Sequence, residues 1–189
     1  MNSEERPTTF REHSFLQWLR EEFGSDDDGI LGIGDDTAWC PSHGENGTLW
    51  AMDTVCEGVH MEPGHDLPAR LGRKAVLVSL SDIASMGGVP NGALLSIALP
   101  KGLGSTDAKD CARAVVATCR EYGVRLLGGD TVSTAGPLVV TVALSGHSEG
   151  SIVRRAGASD GDLVVVTGAL GGSLHDGRHG EFRPRLLEA

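Results

Sequence analysis

Apolar positions along this chain alternate between helical and strand-like spacing. Apolar residues three or four apart predict a helix through Phe15, Leu16, Leu19 and Phe23 that ends at Gly24. They also predict a long helix opening near Asp66-Leu67-Pro68 and a third over Asp107–Tyr122. Short apolar runs rich in Val, Leu and Thr predict strands at Thr48–Val55, Ala93–Leu99, Val124–Leu127, Pro137–Gly146 and Leu163–Val166. Long helices mixed with returning strands predict an α+β or α/β layer arrangement.

The long helix carries an isolated acid, Asp82, which is the only charged side chain between Lys74 and Lys101. One helical face is predicted to be a buried stripe formed by Val76, Leu77, Leu80, Ile83 and Ala84. Asp82 lies roughly opposite, on a second, uncharged face with Ala75, Val78, Ser79 and Met86. A carboxylate on a covered face is costly unless it is hydrogen-bonded or meets a cation. We therefore expect its partner to come from another part of the fold, or to be a metal ion.

Length and composition predict one ordinary domain with a real core in a chain of 189 residues. We expect a flexible N-terminus over residues 1–14, the domain itself over 15–168, and a glycine-rich linker with the start of a second unit over 169–189. The formal net charge of −10 argues against nucleic acid or an anionic membrane as the main partner. The 4 cysteines form no CxxC pair, and neither a signal peptide nor a membrane-spanning run is visible, so a cytoplasmic protein is expected.

Four segments place aspartates at glycine-rich turns, on a strand or on the long helix. These are Asp35-Asp36 after Gly32-Ile33-Gly34, Asp53 in the first strand, Asp82, and Asp130 after Gly128-Gly129. If the fold brings them together, they form an oxygen cage suited to Mg²⁺, Mn²⁺ or Ca²⁺, and bound cations would let an acidic protein accept a polyphosphate. Taken singly, each aspartate can also be explained as a cap or a turn residue, and this explanation is weakest for Asp82.

Other candidate sites carry weaker signals. Cys56 with His60, or Cys40 with His43, offers too few ligands for zinc. Arg154-Arg155 fits either a phosphate contact or an exposed basic pair.

Taken together, the motifs resemble those of the thiamine-monophosphate kinases, in the aminoimidazole-ribonucleotide synthase superfamily. The resemblance rests on six segments in the family's order, which are Gly32–Ala38, Asp53–His60, Leu80–Gly87, Leu127–Thr131, Arg154–Ala158 and Gly161–Gly168. It implies an α+β domain with a mixed or antiparallel four-stranded sheet flanked by helices. It further implies that two such domains share a β-barrel in a homodimer, with ATP near the interface.

The resemblance also implies an activity and its residues. The family transfers the γ-phosphate of ATP to thiamine monophosphate with several Mg²⁺ ions, giving thiamine diphosphate. Carried over by position, the metal ligands would be Asp36, Asp53, Asp82 and Asp130. The nucleotide would be contacted by Gly129, Asp130 and Arg155, and His60 would face thiamine monophosphate. No side chain is assigned covalent catalysis.

Two departures from the family pattern qualify this reading. Ala51-Met52 stands where the family has hydroxyl residues before the strand aspartate. The family's second domain would follow a segment like Phe182-Arg183-Pro184-Arg185, and only the nucleotide-and-metal half is expected here. The alternatives are a non-catalytic, dimeric Mg-nucleotide module and a sister ATP-dependent synthase of the same superfamily.

Overall fold

The computed structural model describes residues 11–24, 29–41, 47–62, 67–166 and 184. Three helices are present in these residues, namely α1 (Glu12–Phe23), α2 (Leu67–Ser85) and α3 (Ser105–Glu121). The five strands are β1 (Ala38–Cys40), β2 (Thr48–Cys56), β3 (Gly88–Pro100), β4 (Arg125–Thr134) and β5 (Val139–Ser148). No helix among these residues has the length and hydropathy needed to cross a bilayer.

The strands form one mixed sheet in the order β1-β2-β5-β3-β4. All neighbouring pairs are antiparallel except β3 and β4, which run parallel with α3 as their crossover. The α+β class is confirmed, whereas the expected number of four strands was wrong by one. The additional strand is β1, whose three residues are too few to give a hydrophobic period.

The core lies between the sheet and α2, which contacts β2, β5 and β3, while α3 packs on α2. The predicted stripe on α2 is confirmed, since Val76, Leu77, Leu80 and Ile83 are fully buried and Ala84 is nearly so. Its second face is covered as well, with Ala75 and Ser79 inaccessible. Gly87 then adopts a left-handed conformation and donates its N–H to the Ala84 carbonyl, which ends the helix.

Strand β4 runs further than predicted. The Gly128-Gly129-Asp130 segment was expected to be a turn after Val124–Leu127, yet the strand continues to Thr134. Gly129 instead allows β4 to approach β3 closely, because a Cβ at this position would overlap the carbonyl oxygen of Leu95. A β-bulge next to this contact shifts the register between Ala93 and Leu94. Asp130 therefore lies within a strand and not at a strand end.

The strand predicted at Leu163–Val166 is absent. Residues 162–166 have no regular secondary structure, and Leu163 and Val164 are 88% and 98% exposed. No described strand pairs with this segment, and a strand needs a hydrogen-bonded neighbour to form. The helix predicted through Phe15 and Phe23 is confirmed as α1, although none of its residues is buried. The acidic Asp26–Asp28 run, Asp66 and the predicted linker over 169–189, apart from Pro184, lie outside the described residues.

The face of the sheet away from α2 is open and largely apolar. Along β2, Leu49, Ala51 and Val55 point into the core, while Trp50 and Met52 are 50% and 69% exposed. The same open face carries Leu94 of β3 and the exposed Leu127 and Val132 of β4. An apolar surface of this breadth on a sheet is characteristic of an interaction surface.

Candidate active site

Two half-buried carboxyl groups meet where β2 passes α2. Asp53 follows Leu49 and Ala51 on the strand face that packs against α2, and Asp82 lies near the C-terminal end of that helix. Their side chains share a hydrogen bond. Burial, followed by the charges of Asp53 and Asp36, raises the pKa of Asp82 to about 7, and burial also raises the pKa of Asp53. Asp82 is therefore paired with another acid, and the pair holds a proton near neutral pH.

Asp36 is the third acid of this group and has polar partners of its own. Arg155 donates from Nε to Asp36 Oδ1 at 3.0 Å and also forms an ion pair through its second guanidinium nitrogen. Ser85, one turn after Asp82 on α2, donates to Asp36 Oδ2 at 2.8 Å. Burial raises the pKa of Asp36, but the hydrogen bonds from Arg155 and Ser85 outweigh it, so the net pKa is lowered. Asp36 is therefore ionised beside the protonated pair.

The side chain of the neighbouring Asp35 holds the Arg154-Arg155 segment through the backbone of Arg155. Its Oδ1 accepts a 2.6 Å hydrogen bond from the backbone N–H of Arg155, and Arg154 Nε lies 3.5 Å from Oδ2. Gly34 before it has a positive φ of 141°, and a Cβ there would lie 3.1 Å from Cζ of Arg20 on α1. The glycine turn thus presents two adjacent carboxylates to Arg154-Arg155, a contact that the sequence did not predict.

A cleft of about 470 Å³ adjoins this turn. Its lining comes from α1, from the Ile33–Asp35 turn and from Arg155; the α1 residues are His13, Leu16, Gln17 and Arg20. Both apolar and cationic groups therefore face a space next to the acids.

His60 lies on the turn that follows β2. Its Nδ1 accepts a 3.0 Å hydrogen bond from the backbone N–H of Cys56, so in the neutral ring the proton is on Nε2. The imidazole is exposed and close enough to Asp53 for its charge to lower the pKa of that carboxyl. On the other side of the turn, Lys74 of α2 donates to the His60 carbonyl oxygen at 2.7 Å.

Asp130 and Gly129 are placed apart from the three acids. Asp130 pairs with Ser96, which pairs with Thr141, and Thr141 pairs in turn with Thr54. This row lies on the open face, whereas Asp53 faces α2, and with strands about 4.8 Å apart Asp130 is roughly 14 Å from β2. Across the described ranges, no set of three or more His, Cys, Asp or Glu side chains is arranged as a ready metal site. The structure thus gathers Asp36, Asp53 and Asp82 and leaves Asp130 elsewhere.

Sequence reasoning missed two contributors to this site. Ser85 could have been found, because it is three residues from Asp82 on the same helical face. Asp35 was among the candidate acids, but its bond to the backbone of Arg155 was not predicted. No sequence pattern indicated the contact of Lys74, because its hydrogen-bond acceptor is the backbone carbonyl of His60, 14 residues earlier.

Comparisons with known proteins found a matching family profile and similar curated proteins. The profile described as AIR synthase related protein, N-terminal domain, matches residues 34–147. The thiamine-monophosphate kinase of Bacillus subtilis (strain 168) is 40% identical over 145 residues, which cover 76% of this chain and 44% of that protein. That of Rhodopirellula baltica is 35% identical over 182 residues, covering 93% of this chain and 57% of that protein.

Among solved structures, AaThiL complexed with AMPPCP and TMP aligns with a TM-score of 0.73 and 28% identity. The alignment covers 84% of this chain and 48% of that one. The chain spans about half the length of the curated relatives it matches. The profile match covers more than half of the chain and includes Gly34, the three gathered acids and His60. The chain therefore belongs to the AIR synthase related family, matches the N-terminal domain of that family, and is similar to the thiamine-monophosphate kinases within it.

Proposed function

We propose that this chain is the nucleotide- and metal-binding half of a thiamine-monophosphate kinase. The reaction would transfer the γ-phosphate of ATP to the phosphate of thiamine monophosphate, giving thiamine diphosphate and ADP. The observation that carries the proposal is the group of Asp53, Asp82 and Asp36 beside Arg155. Relatives named for this activity, and a similar structure that holds AMPPCP and TMP, support it.

The acids fit a divalent cation. Asp53 and Asp82 retain a proton near neutral pH because both carboxyl groups are partly buried and because the charges of Asp53 and Asp36 lie beside Asp82. Mg²⁺ is commonly bound by one or two carboxylates together with substrate phosphates and water, so it needs no complete protein cage. Asp53, Asp82 and Asp36 would hold it. When bound, Mg²⁺ would supply charge neutralisation across the phosphates.

Arg155 is the proposed nucleotide contact of this site. Its guanidinium lies against Asp36 and borders the cleft between α1 and the Gly34 turn. A planar, permanently charged group there suits two phosphate oxygens. The other proposed ATP contacts are Asp130, which lies on the open sheet face and is also a proposed metal ligand, and Gly129, which precedes it in β4 and pairs with Leu95. Their participation requires the nucleotide, a second metal ion or a partner subunit to reach that face.

His60 is the proposed contact for the acceptor. It is exposed on a turn next to Asp53, so a phosphate entering from that side would meet both the imidazole and the metal-binding acids. The acceptor oxygen would attack the γ-phosphorus in line while ADP leaves, with no covalent enzyme intermediate. This chain would contribute alignment and charge compensation, which account for most of phosphoryl-transfer catalysis.

A second copy of the chain is the proposed partner on the open sheet face. That face exposes Trp50, Met52, Leu94, Leu127 and Val132, and no described element covers it. Packing two such sheets together would remove these side chains from water and give a shared barrel. Asp130 and Gly129 would then lie at the interface between the subunits.

The test combines binding with turnover. We expect calorimetry to detect AMPPCP binding that requires MgCl₂ and is lost in Asp82→Asn. We also expect the chain to form thiamine diphosphate from ATP, MgCl₂ and thiamine monophosphate when the remaining part of a related kinase is supplied as a separate polypeptide, measured by chromatography. Wild-type protein that binds no nucleotide with MgCl₂ would refute the proposal.

Mg-dependent nucleotide binding without turnover would favour a second function, a non-catalytic dimeric Mg-nucleotide module. The observation in its favour is that, among the described residues, the acids beside Arg155 supply contacts for Mg-nucleotide, whereas His60 alone is proposed for the acceptor. Adding the part of the Bacillus subtilis relative that this chain does not match, as a separate polypeptide, separates the two functions. Restored thiamine diphosphate formation would identify the chain as the competent half of a kinase.

A further inference from the structure

Lys74 holds an ammonium group in a partly desolvated position. It lies on α2 and donates a 2.7 Å hydrogen bond to the backbone carbonyl oxygen of His60. Burial lowers the pKa of Lys74, and among the described residues no carboxylate contributes an opposing effect. Because desolvating a cation for a neutral acceptor is unfavourable, the contact points to a role in holding the turn of His60 in place.

The contact holds the turn over residues 57–61. Within that turn, the N–H of Gly58 donates to the Met61 carbonyl at 2.8 Å, and the N–H of His60 donates to the Cys56 carbonyl at 2.9 Å. These bonds shape the turn but do not fix it against the helix. Among the described residues, the bond from Lys74 is the hydrogen bond that ties this turn to α2.

Both residues of this hydrogen bond lie on segments that also carry or adjoin residues of the proposed site. Lys74 lies two helical turns before Asp82, a rise of roughly 12 Å along α2. The residue held at the other end of this bond through its carbonyl oxygen is His60, whose imidazole is near enough to Asp53 to lower the pKa of that carboxyl. A fixed turn therefore sets the distance between the ring and the acid pair.

We propose that Lys74 is a positioning residue, which holds the turn so that the His60 imidazole presents Nε2 beside Asp53 for the acceptor substrate. This inference rests on the proposed function for the identity of the acceptor. The geometric part can be tested without turnover, because ring nitrogen spectra report the His60 tautomer.

The experiment compares Lys74→Met, which keeps most of the aliphatic stem, with Lys74→Arg, which keeps the charge and the donor. Lys109→Met, on the exposed side of α3, removes a positive charge away from the site and serves as control. Nitrogen-15 spectra near pH 8 follow the His60 ring, assigned from its loss in His60→Gln. Calorimetry measures binding of thiamine monophosphate and of Mg-AMPPCP separately.

We expect wild type and Lys109→Met to show a neutral ring protonated at Nε2. In Lys74→Met the two ring nitrogens should move toward averaged shifts, and thiamine monophosphate should bind about tenfold more weakly with Mg-AMPPCP binding unchanged. Lys74→Arg should restore both. An unchanged His60 spectrum in Lys74→Met, in protein that still melts cooperatively, would overturn the inference. Wild-type protein that binds Mg-AMPPCP but not thiamine monophosphate would instead count against the proposed acceptor, and the spectrum would still decide the role of Lys74.

Discussion

Replacing Asp82 with asparagine should stabilise the metal-free protein at alkaline pH while removing its response to magnesium. Asparagine is nearly isosteric and can still hydrogen-bond to Asp53, but it cannot ionise. The folded-state pKa of Asp82 is raised from 3.8 to about 7, so its proton stabilises the fold fully below pH 4. That contribution is lost as pH rises through about 7, when Asp82 ionises beside Asp53 and Asp36.

The magnitude follows from the size of the pKa shift. About three pKa units at roughly 1.4 kcal/mol each set a ceiling of about 4 kcal/mol for the cost of ionisation. Because Asp82 is half-exposed, solvent screening reduces this to about 1–2 kcal/mol. At about 2–4 °C per kcal/mol for a chain of this size, Asp82→Asn should melt roughly 2–8 °C above wild type at pH 8.5 and close to wild type at pH 4.

Thermal melts from pH 4 to 8.5, with and without MgCl₂, provide the assay. We expect MgCl₂ to raise the melting temperature of wild type at pH 8.5 and to leave Asp82→Asn unchanged. Asp160→Asn, on an exposed turn, serves as the matched control and should follow wild type throughout. A variant that is destabilised equally at both ends of the pH range, yet keeps the magnesium response, would refute the reasoning and make Asp82 a purely structural residue.

Three further predictions follow from other parts of the molecule. Arg155→Met should weaken binding of Mg-AMPPCP by about tenfold or more, because it removes a bidentate cation, and calorimetry that finds unchanged affinity would contradict this. Met52→Asp should shift the proposed dimer to monomer in light scattering at micromolar concentration, whereas the control Ala117→Asp on α3 should not. If the two variants behave alike, the open sheet face is not the interface. Leu80→Ala should cost about 2–5 kcal/mol of unfolding free energy in urea, since the side chain is fully buried between α2 and the sheet.

The sequence predicted best those features that repeat along one element. Helix α2 shows a regular apolar stripe, and its isolated Asp82 correctly indicated a partner supplied by another element. The spacing of apolar residues predicts the elements of the chain but not the contacts between distant segments. The hydrogen bond between Asp36 and Arg155, which are 119 positions apart, could therefore not be predicted from the sequence. The glycines before Asp130 were interpreted as a turn, because glycine permits a bulge and close strand contact as readily as it permits a turn.

Arg155 also acts as the counter-ion of Asp36. Its guanidinium neutralises Asp36, so a magnesium ion bound there as proposed would compete with an arginine for that carboxylate. A polyphosphate that draws the guanidinium to itself would release Asp36 at the moment its own charge needs compensation. Thermodynamic linkage then requires each ligand to raise the affinity of the other, and the chain would take up nucleotide and cation together in preference to either one alone.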